Sequence, residues 1–250
     1  MTRNAPVDVP DRHAPGGPPR KRHWWRWILA SVLVFAVLVL LGGALALRFW
    51  ASAAPLALPG GRAAAPAGPV DGAWAAAAGS VAGFRVRESA LGISGDVTGQ
   101  TDAVTGTIVI SHGQVTRAVF RIDLTSITVA GKTQPQFTQS LDTQEYPGAT
   151  ITLARPMTLQ PAFTSGATIT VTVTCRLTLR GITQPVAVTI SARRDGTALQ
   201  AAGSIPITLS RWGITEPASY GIVGSLASHG TAEFLLLLHH EAGAGRGAGR

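Results

Sequence analysis

A chain of 250 residues with a formal net charge of +8 has room for one sizeable domain plus appendages. The charge is unevenly placed: residues 1–27 carry six basic and two acidic groups, whereas residues 71–240 carry eleven basic and ten acidic ones. A nearly neutral domain without a basic stripe excludes nucleic acid as the expected partner, and a single cysteine, Cys175, excludes an intramolecular disulfide.

Residues 1–27 read as a polar, basic tail. Residues 28–47, ILASVLVFAVLVLLGGALAL, are twenty positions without a charge. At ~1.5 Å of rise each they match the ~30 Å hydrocarbon core of a bilayer. Trp24, Trp25 and Trp27 precede this run and Phe49 and Trp50 follow it, where amphipathic rings settle at the two water interfaces. Arg20, Lys21, Arg22 and Arg26 face only Arg48 and Arg62 across it, so the positive-inside bias places the N-terminus in the cytoplasm and everything after Arg48 outside the cytoplasmic membrane. Ala51-Ser52-Ala53 resembles a signal-peptide cleavage site, but the apolar run exceeds the usual ~7–15 residues of a signal core and favours an uncleaved anchor.

Residues 48–73 set Pro55, Pro59, Pro66 and Pro69 among alanines and glycines and read as a spacer too poor in large apolar groups to fold. The tail 241–250, EAGAGRGAGR, reads as disordered for the same reason.

Residues 74–240 carry the period-two pattern of β-strands. Phe84 and Val86 alternate with Arg85 and Arg87. Val104, Ile108 and Ile110 form the next apolar face, then Ala118, Phe120, Ile122 and Leu124, then Ile151 and Leu153. In the longest run Ile169, Val171, Val173, Cys175, Leu177 and Leu179 share one face, with threonines, Arg176 and Arg180 on the other. A slip of one residue would bury those threonines and arginines, so the register is well specified. After a break at GITQP, Val186, Val188 and Ile190 begin a sixth strand, with a seventh near 198–209 and an eighth near 231–239. About eight antiparallel strands with one apolar face suit either a closed barrel or a sandwich. Residues 131–149 lack alternation, and Phe137 and Leu141, four apart, suggest a short amphipathic helix capping one end, or else a long surface loop.

The residues offer little for catalysis. Cys175 falls on an apolar face between Val173 and Leu177, where a thiol behaves as a small hydrophobe. His112 and His229 each sit in a Ser-His-Gly triplet that reads as a turn, and His239-His240 lies near an end. No metal-ligand spacing and no phosphate loop appears; GISGDVTGQ at 92–100 is rich in glycine but lacks the strand-glycine-helix context. A hydrolase built on Ser80 with His112 or His229 is the weakest of the readings.

LTLRGITQPV at 177–186 resembles a hairpin of the YceI-like lipid/polyisoprenoid-binding family. Further blocks follow that family's order: TGTIVI at 105–110, IDLTSITV at 122–129, LDTQEYPGATITL at 141–153 and SRWGI at 210–214. The resemblance implies an all-β fold, an eight-stranded antiparallel lipocalin-like barrel with a short helical insertion, whose apolar lumen holds a long isoprenoid chain or similar lipid. It makes Phe84, Phe120, Ile122, Leu124, Ile151, Val171, Val173, Cys175 and Leu177 candidate lumen residues, unless they merely fill a dry core. The chain departs from the family pattern at Gly79-Ser80 and Arg87-Glu88, where members often carry histidine, and at Trp212. The expectation is a membrane-anchored, non-catalytic lipid binder with no cofactor. Its competitor is an envelope barrel that binds a protein partner and packs its own side chains inside.

Overall fold

The computed structural model describes residues 35–37, 39, 54–90, 93–215 and 224–241. The chain divides into two compact units, residues 1–46 and 47–250. In the first, residues 35–37 and 39 are helical, with Phe35, Val37 and Val39 exposed. The remainder of the expected span 28–47, the basic tail, residues 48–53 of the expected spacer and residues 242–250 lie outside the described residues. Among those described, no helix is long and apolar enough to cross a membrane.

The second unit is built on one antiparallel sheet. Its strands are β1 (Gly72–Ala76), β2 (Val81–Ala90), β3 (Ile93–Thr101), β4 (Val104–Ser111), β5 (Gln114–Asp123), β6 (Thr128–Val129), β7 (Gly148–Leu153), β8 (Met157–Thr158), β9 (Ile169–Leu179), β10 (Ile182–Asp195), β11 (Ala198–Thr208) and β12 (Gly224–His240). Two short helices, α1 (Pro135–Leu141) and α2 (Pro161–Thr164), and a 3-10 turn, η1 (Leu209–Trp212), interrupt them.

Strand β12 closes the sheet. One edge pairs with β11 from Thr208↔His229 to Ala198↔His239; the other pairs first with β2 and then, over Leu238 to His240, with β1. Because β1 also pairs with β4, the strands β1, β4, β5, β7, β9, β10, β11 and β12 form an eight-membered ring. Patterning alone left barrel and sandwich open, and closure decides for the barrel. Strand β2 continues along the same edge of β12 and pairs with β3, which in turn pairs with β6. The break between β1 and β2 is pinned by Ser80, whose hydroxyl donates to the Leu237 carbonyl at 3.2 Å and accepts the Leu237 N–H at 3.0 Å.

The longest alternating segment behaves as its pattern requires. Strand β9 turns Ile169, Cys175 and Leu177 inward as buried residues and leaves Thr170, Thr172, Thr174 and Arg176 exposed. Thr172 meets Thr189 and Thr178 meets Thr183 on the exterior, hydroxyl to hydroxyl across the strands. The expected break at GITQP contracts to two residues: Arg180 at φ 48° and Gly181 at φ 70° form the tight turn that matches strand twist, and β10 resumes at Ile182 opposite Leu179.

Two strands lie where the pattern predicts none. Strand β1 straddles the border between the expected spacer and the expected barrel domain at residue 74, and β3 occupies the glycine-rich stretch at 92–100. Gly99 explains the second: a Cβ there would stand 2.4 Å from the Phe84 ring, so a glycine breaks the alternation to let that ring lie against the backbone. The expected helix at 131–149 is α1, with Phe137 buried and its ring centroid 4.7 Å from that of Phe84.

Residues 54–70 also differ from a free spacer. Without regular structure, they run as a strap over the exterior of the barrel and then across one end. The Leu56 N–H donates to Glu233 at 3.0 Å, Arg193 donates to the Pro59 and Gly61 carbonyls at 2.8 and 3.2 Å, and the Ala64 N–H donates to Asp195 at 2.7 Å. A segment unable to build a core of its own is ordered here by backbone hydrogen bonds to a finished one.

The opposite end is closed by α1 and by η1, whose Trp212 is 0% exposed and packs among Val186, Val188, Ile205 and Ile214. Its indole N–H is buried without a partner. Two costs therefore oppose each other at this residue. Trp212→Ala is expected to lower unfolding free energy by about 3–5 kcal/mol through the cavity it leaves. Trp212→Phe keeps most of the volume and removes the orphaned donor, so it is expected to change stability by less than about 1 kcal/mol. Urea unfolding of both variants measures the difference.

Candidate ligand-binding lumen

The inward residues of the ring do not meet in the middle. They enclose a cavity of about 300 Å³. All nine sequence candidates border it: Phe84 from β2, Phe120 and Ile122 from β5, Leu124 just beyond β5, Ile151 from β7, and Val171, Val173, Cys175 and Leu177 from β9. The rest of the wall comes from strands that obey the same period-two rule, through Ile108 and Ile110 of β4, Val188 and Ile190 of β10 and Phe234 of β12. Those of β4 and β10 were equally legible in the pattern, whereas Phe234 lies in an unbroken apolar run, FLLLL at 234–238, that hides its face. Met157, Leu159 and Phe163 were not legible either, because they sit in a segment with no alternation that folds over one end of the barrel as β8 and α2.

The void arises from small side chains on the inner face. Ala82, Ala118, Ala192, Ala201 and Ala232 all border the cavity and occupy interior positions that larger residues would fill. The wall is also chemically uniform. Ser140, Thr152 and Thr231 border it with hydroxyl side chains, and Glu233 and Gln200 touch it with their polar atoms committed to the exterior. Glu233 accepts from Arg85 at 2.9 Å, while Gln200 accepts from Arg193 at 2.9 Å and donates to Asp195 at 2.7 Å. The Glu233 hydrogen bond, with Asp96 adding charge, raises the Arg85 pKa above its ordinary value. Among the described residues no lysine, arginine or histidine borders the cavity.

The face of β2 that carries Ala82, Phe84 and Val86 continues to Glu88, opposite Leu226 of β12. Burial raises the Glu88 pKa above the usual carboxylate range. It belongs to the Arg87-Glu88 pair, where the family resemblance leads to the expectation of a histidine.

Groups that a hydrolase would need are kept apart. Ser80 is 1% exposed and engaged with Leu237 in both directions. His112 occupies the β4–β5 turn at the strap end, and His229 pairs with Thr208 toward the other. The structure brings neither histidine to Ser80, so that reading is set aside. Among the described residues no group of histidine, cysteine and carboxylate side chains is placed to hold a metal ion.

A closed eight-stranded barrel has an interior that is either filled by its own side chains or wide enough for one small ligand. The YceI-like domain model matches residues 75–230, and the chain belongs to that family. Among solved structures, a polyisoprenoid-binding domain from Saccharophagus degradans superposes with a TM-score of 0.51 at 17% identity, covering 68% of this chain and 98% of that one. BcnA of Burkholderia cenocepacia gives a TM-score of 0.46 at 19% identity, covering 63% and 94%. The YceI protein of Campylobacter jejuni gives 0.40 at 11%, covering 58% and 85%. No curated protein matches the chain.

Cys175 is 6% exposed at the lumen wall, and loss of hydration raises its pKa from 9.0 to about 11. At pH 8 a shift of that size lowers the thiolate fraction about a hundredfold, and the thiolate is the reactive form. Labelling by a thiol-disulfide reagent at pH 8 is therefore expected to be at least about a hundredfold slower in the folded protein than in urea. Comparable rates in the two states would place the thiol outside the lumen.

Proposed function

We propose that the barrel binds an isoprenoid or similar long-chain lipid in its lumen, without catalysis, and that residues 28–47 hold it at the outer face of the cytoplasmic membrane. The observation that carries the reading is the unfilled apolar cavity of about 300 Å³. At ~24 cal/mol per Å³, an empty void of that size costs on the order of 7 kcal/mol. That is comparable with the whole stability of a domain, ~5–15 kcal/mol. Water does not relieve the cost, since a buried water needs two or more polar partners and this wall offers almost none. A hydrocarbon chain relieves it at ~0.8 kcal/mol per methylene buried. A polar ligand would surrender its hydrogen bonds to water without replacement.

The competing reading, a barrel packed with its own side chains, needs a filled interior, and the alanines of the inner face leave one open. Similarity to a polyisoprenoid-binding domain supports the same class of ligand. The anchor rests on the sequence of residues 28–47 and their basic flank. A tether would keep the lumen within reach of the bilayer, which is the source of any such lipid.

Native mass spectrometry of the detergent-purified chain, with organic extraction of the same sample, tests this. The expected result is a lipid of one isoprenoid or acyl series at up to one per protein. A clean apoprotein mass with no extractable lipid would overturn the proposal. Val171→Trp, which directs an indole into the lumen, is expected to lower the lipid-to-protein ratio at least about fivefold while the circular dichroism of the sheet persists.

A further inference from the structure

The strap marks the port through which the lumen exchanges its contents. We propose that residues 64–70 are a displaceable lid over that end of the barrel, latched by Arg194, and that lipid enters and leaves when they lift. The inference rests on the lipid-binding reading and adds to it the place and the control of exchange.

Ring order gives the geometry. The strap leaves the exterior at the β10–β11 turn, where the Gly196 N–H donates to the Ala64 carbonyl at 3.2 Å and the Ala67 N–H donates to the Gly196 carbonyl at 2.9 Å. It lands at the β4–β5 turn, where Asp71 accepts the N–H groups of His112 and Gly113 at 2.9 and 3.2 Å. In the sequence of eight ring strands these two hairpins are four positions apart, so they stand across the mouth from each other. Seven residue steps from Ala64 to Asp71 reach at most ~25 Å, enough to cross a small barrel. Residues 64–70 therefore bridge the diameter of the mouth.

The latch is polar and the lid itself is weakly packed. The strap's own contribution to the apolar core is Val70; the rest of 64–70 is alanine, proline and glycine. What holds it is Arg194, which follows Val188, Ile190 and Ala192 along the inward face of β10 and sits just beyond the end of the cavity. One guanidinium nitrogen donates to the Ala67 and Gly68 carbonyls, both at 2.8 Å.

Arg194 is 6% exposed, forms no ion pair among the described residues, and keeps its Nε buried without a partner. The strap supplies no acid, and the neighbouring Asp195 is committed to Ala64 and Gln200. A buried charge met only by carbonyl dipoles is expensive. The closed arrangement therefore carries a built-in penalty that lifting the strap removes by readmitting water. A lid with few apolar contacts and a strained latch is what a readily opened segment requires. The strap shares its end with β8 and α2, whose Phe163 is buried. At the other end, beside Trp212 and α1, the corresponding cation is ion-paired: Arg180, whose Nε is likewise buried without a partner, meets Asp142 at 3.8 Å.

A reversible staple tests the lid in the whole protein. A Cβ built at Gly196 stands 3.7 Å from the Ala64 Cβ, within the ~3.5–4.5 Å a disulfide needs. Gly196 lies at φ 59°, so cysteine there is strained, and the reduced form of the same variant serves as its own control. The full chain in detergent is loaded with fluorescently labelled geranylgeraniol and chased with excess unlabelled alcohol. Oxidised A64C/G196C is expected to release the probe at least about tenfold more slowly than after reduction. Arg194→Gln is expected to release it at least about threefold faster than the parent at unchanged stoichiometry. Release indifferent to both the staple and Arg194→Gln, with the probe still bound, overturns the lid alone. Failure of every form to take up the probe overturns the lipid-binding reading and the lid with it.

Discussion

The structure depends on the double pairing of one strand. Strand β12 satisfies β11 on one edge and β2 and β1 in succession on the other, so no long edge of the ring is left with unpaired N–H and C=O groups. Closure forces the alternate side chains of every ring strand into one enclosed space. From that point, whether the protein has a core or a container is a matter of side-chain volume alone. Alanines at six of the bordering positions leave the interior open.

That division explains what the sequence disclosed. Alternation identifies inward faces, the family resemblance made nine of those residues lumen candidates, and all nine border the cavity. The signal is strong because a slip of register in β9 would place Arg176 and four threonines inside. Alternation is silent about volume: Val173 beside a void and Val173 in a packed core produce the same pattern. The strand β3 was obscured for a related reason, since Gly99 gives up its side chain to accommodate Phe84 and so erases the period locally. Elements that cap the ends, such as α2 with Phe163, follow no period because they contact the interior from above rather than through a wall.

The cysteine illustrates how position overrides intrinsic reactivity. A lone thiol invites a chemical interpretation. At Cys175 the same desolvation that raises the pKa to about 11 makes the side chain a suitable neighbour for hydrocarbon. Ser80 is the polar counterpart: its hydroxyl replaces a backbone pairing where β1 gives way to β2, and its burial reflects that structural task.

The strap is held almost entirely through its main chain: the carbonyls of Pro59, Gly61, Ala67 and Gly68 and the N–H groups of Leu56, Ala64 and Ala67. Such contacts are made by backbone atoms that every residue type but proline carries in full. The recognisable family region begins at residue 75, after the strap and inside β1. That start lies about twenty residues after Leu56, the first strap residue hydrogen-bonded to the barrel. Trp74, 1% exposed with its indole N–H donating to the Val70 carbonyl at 2.9 Å, falls just short of that start.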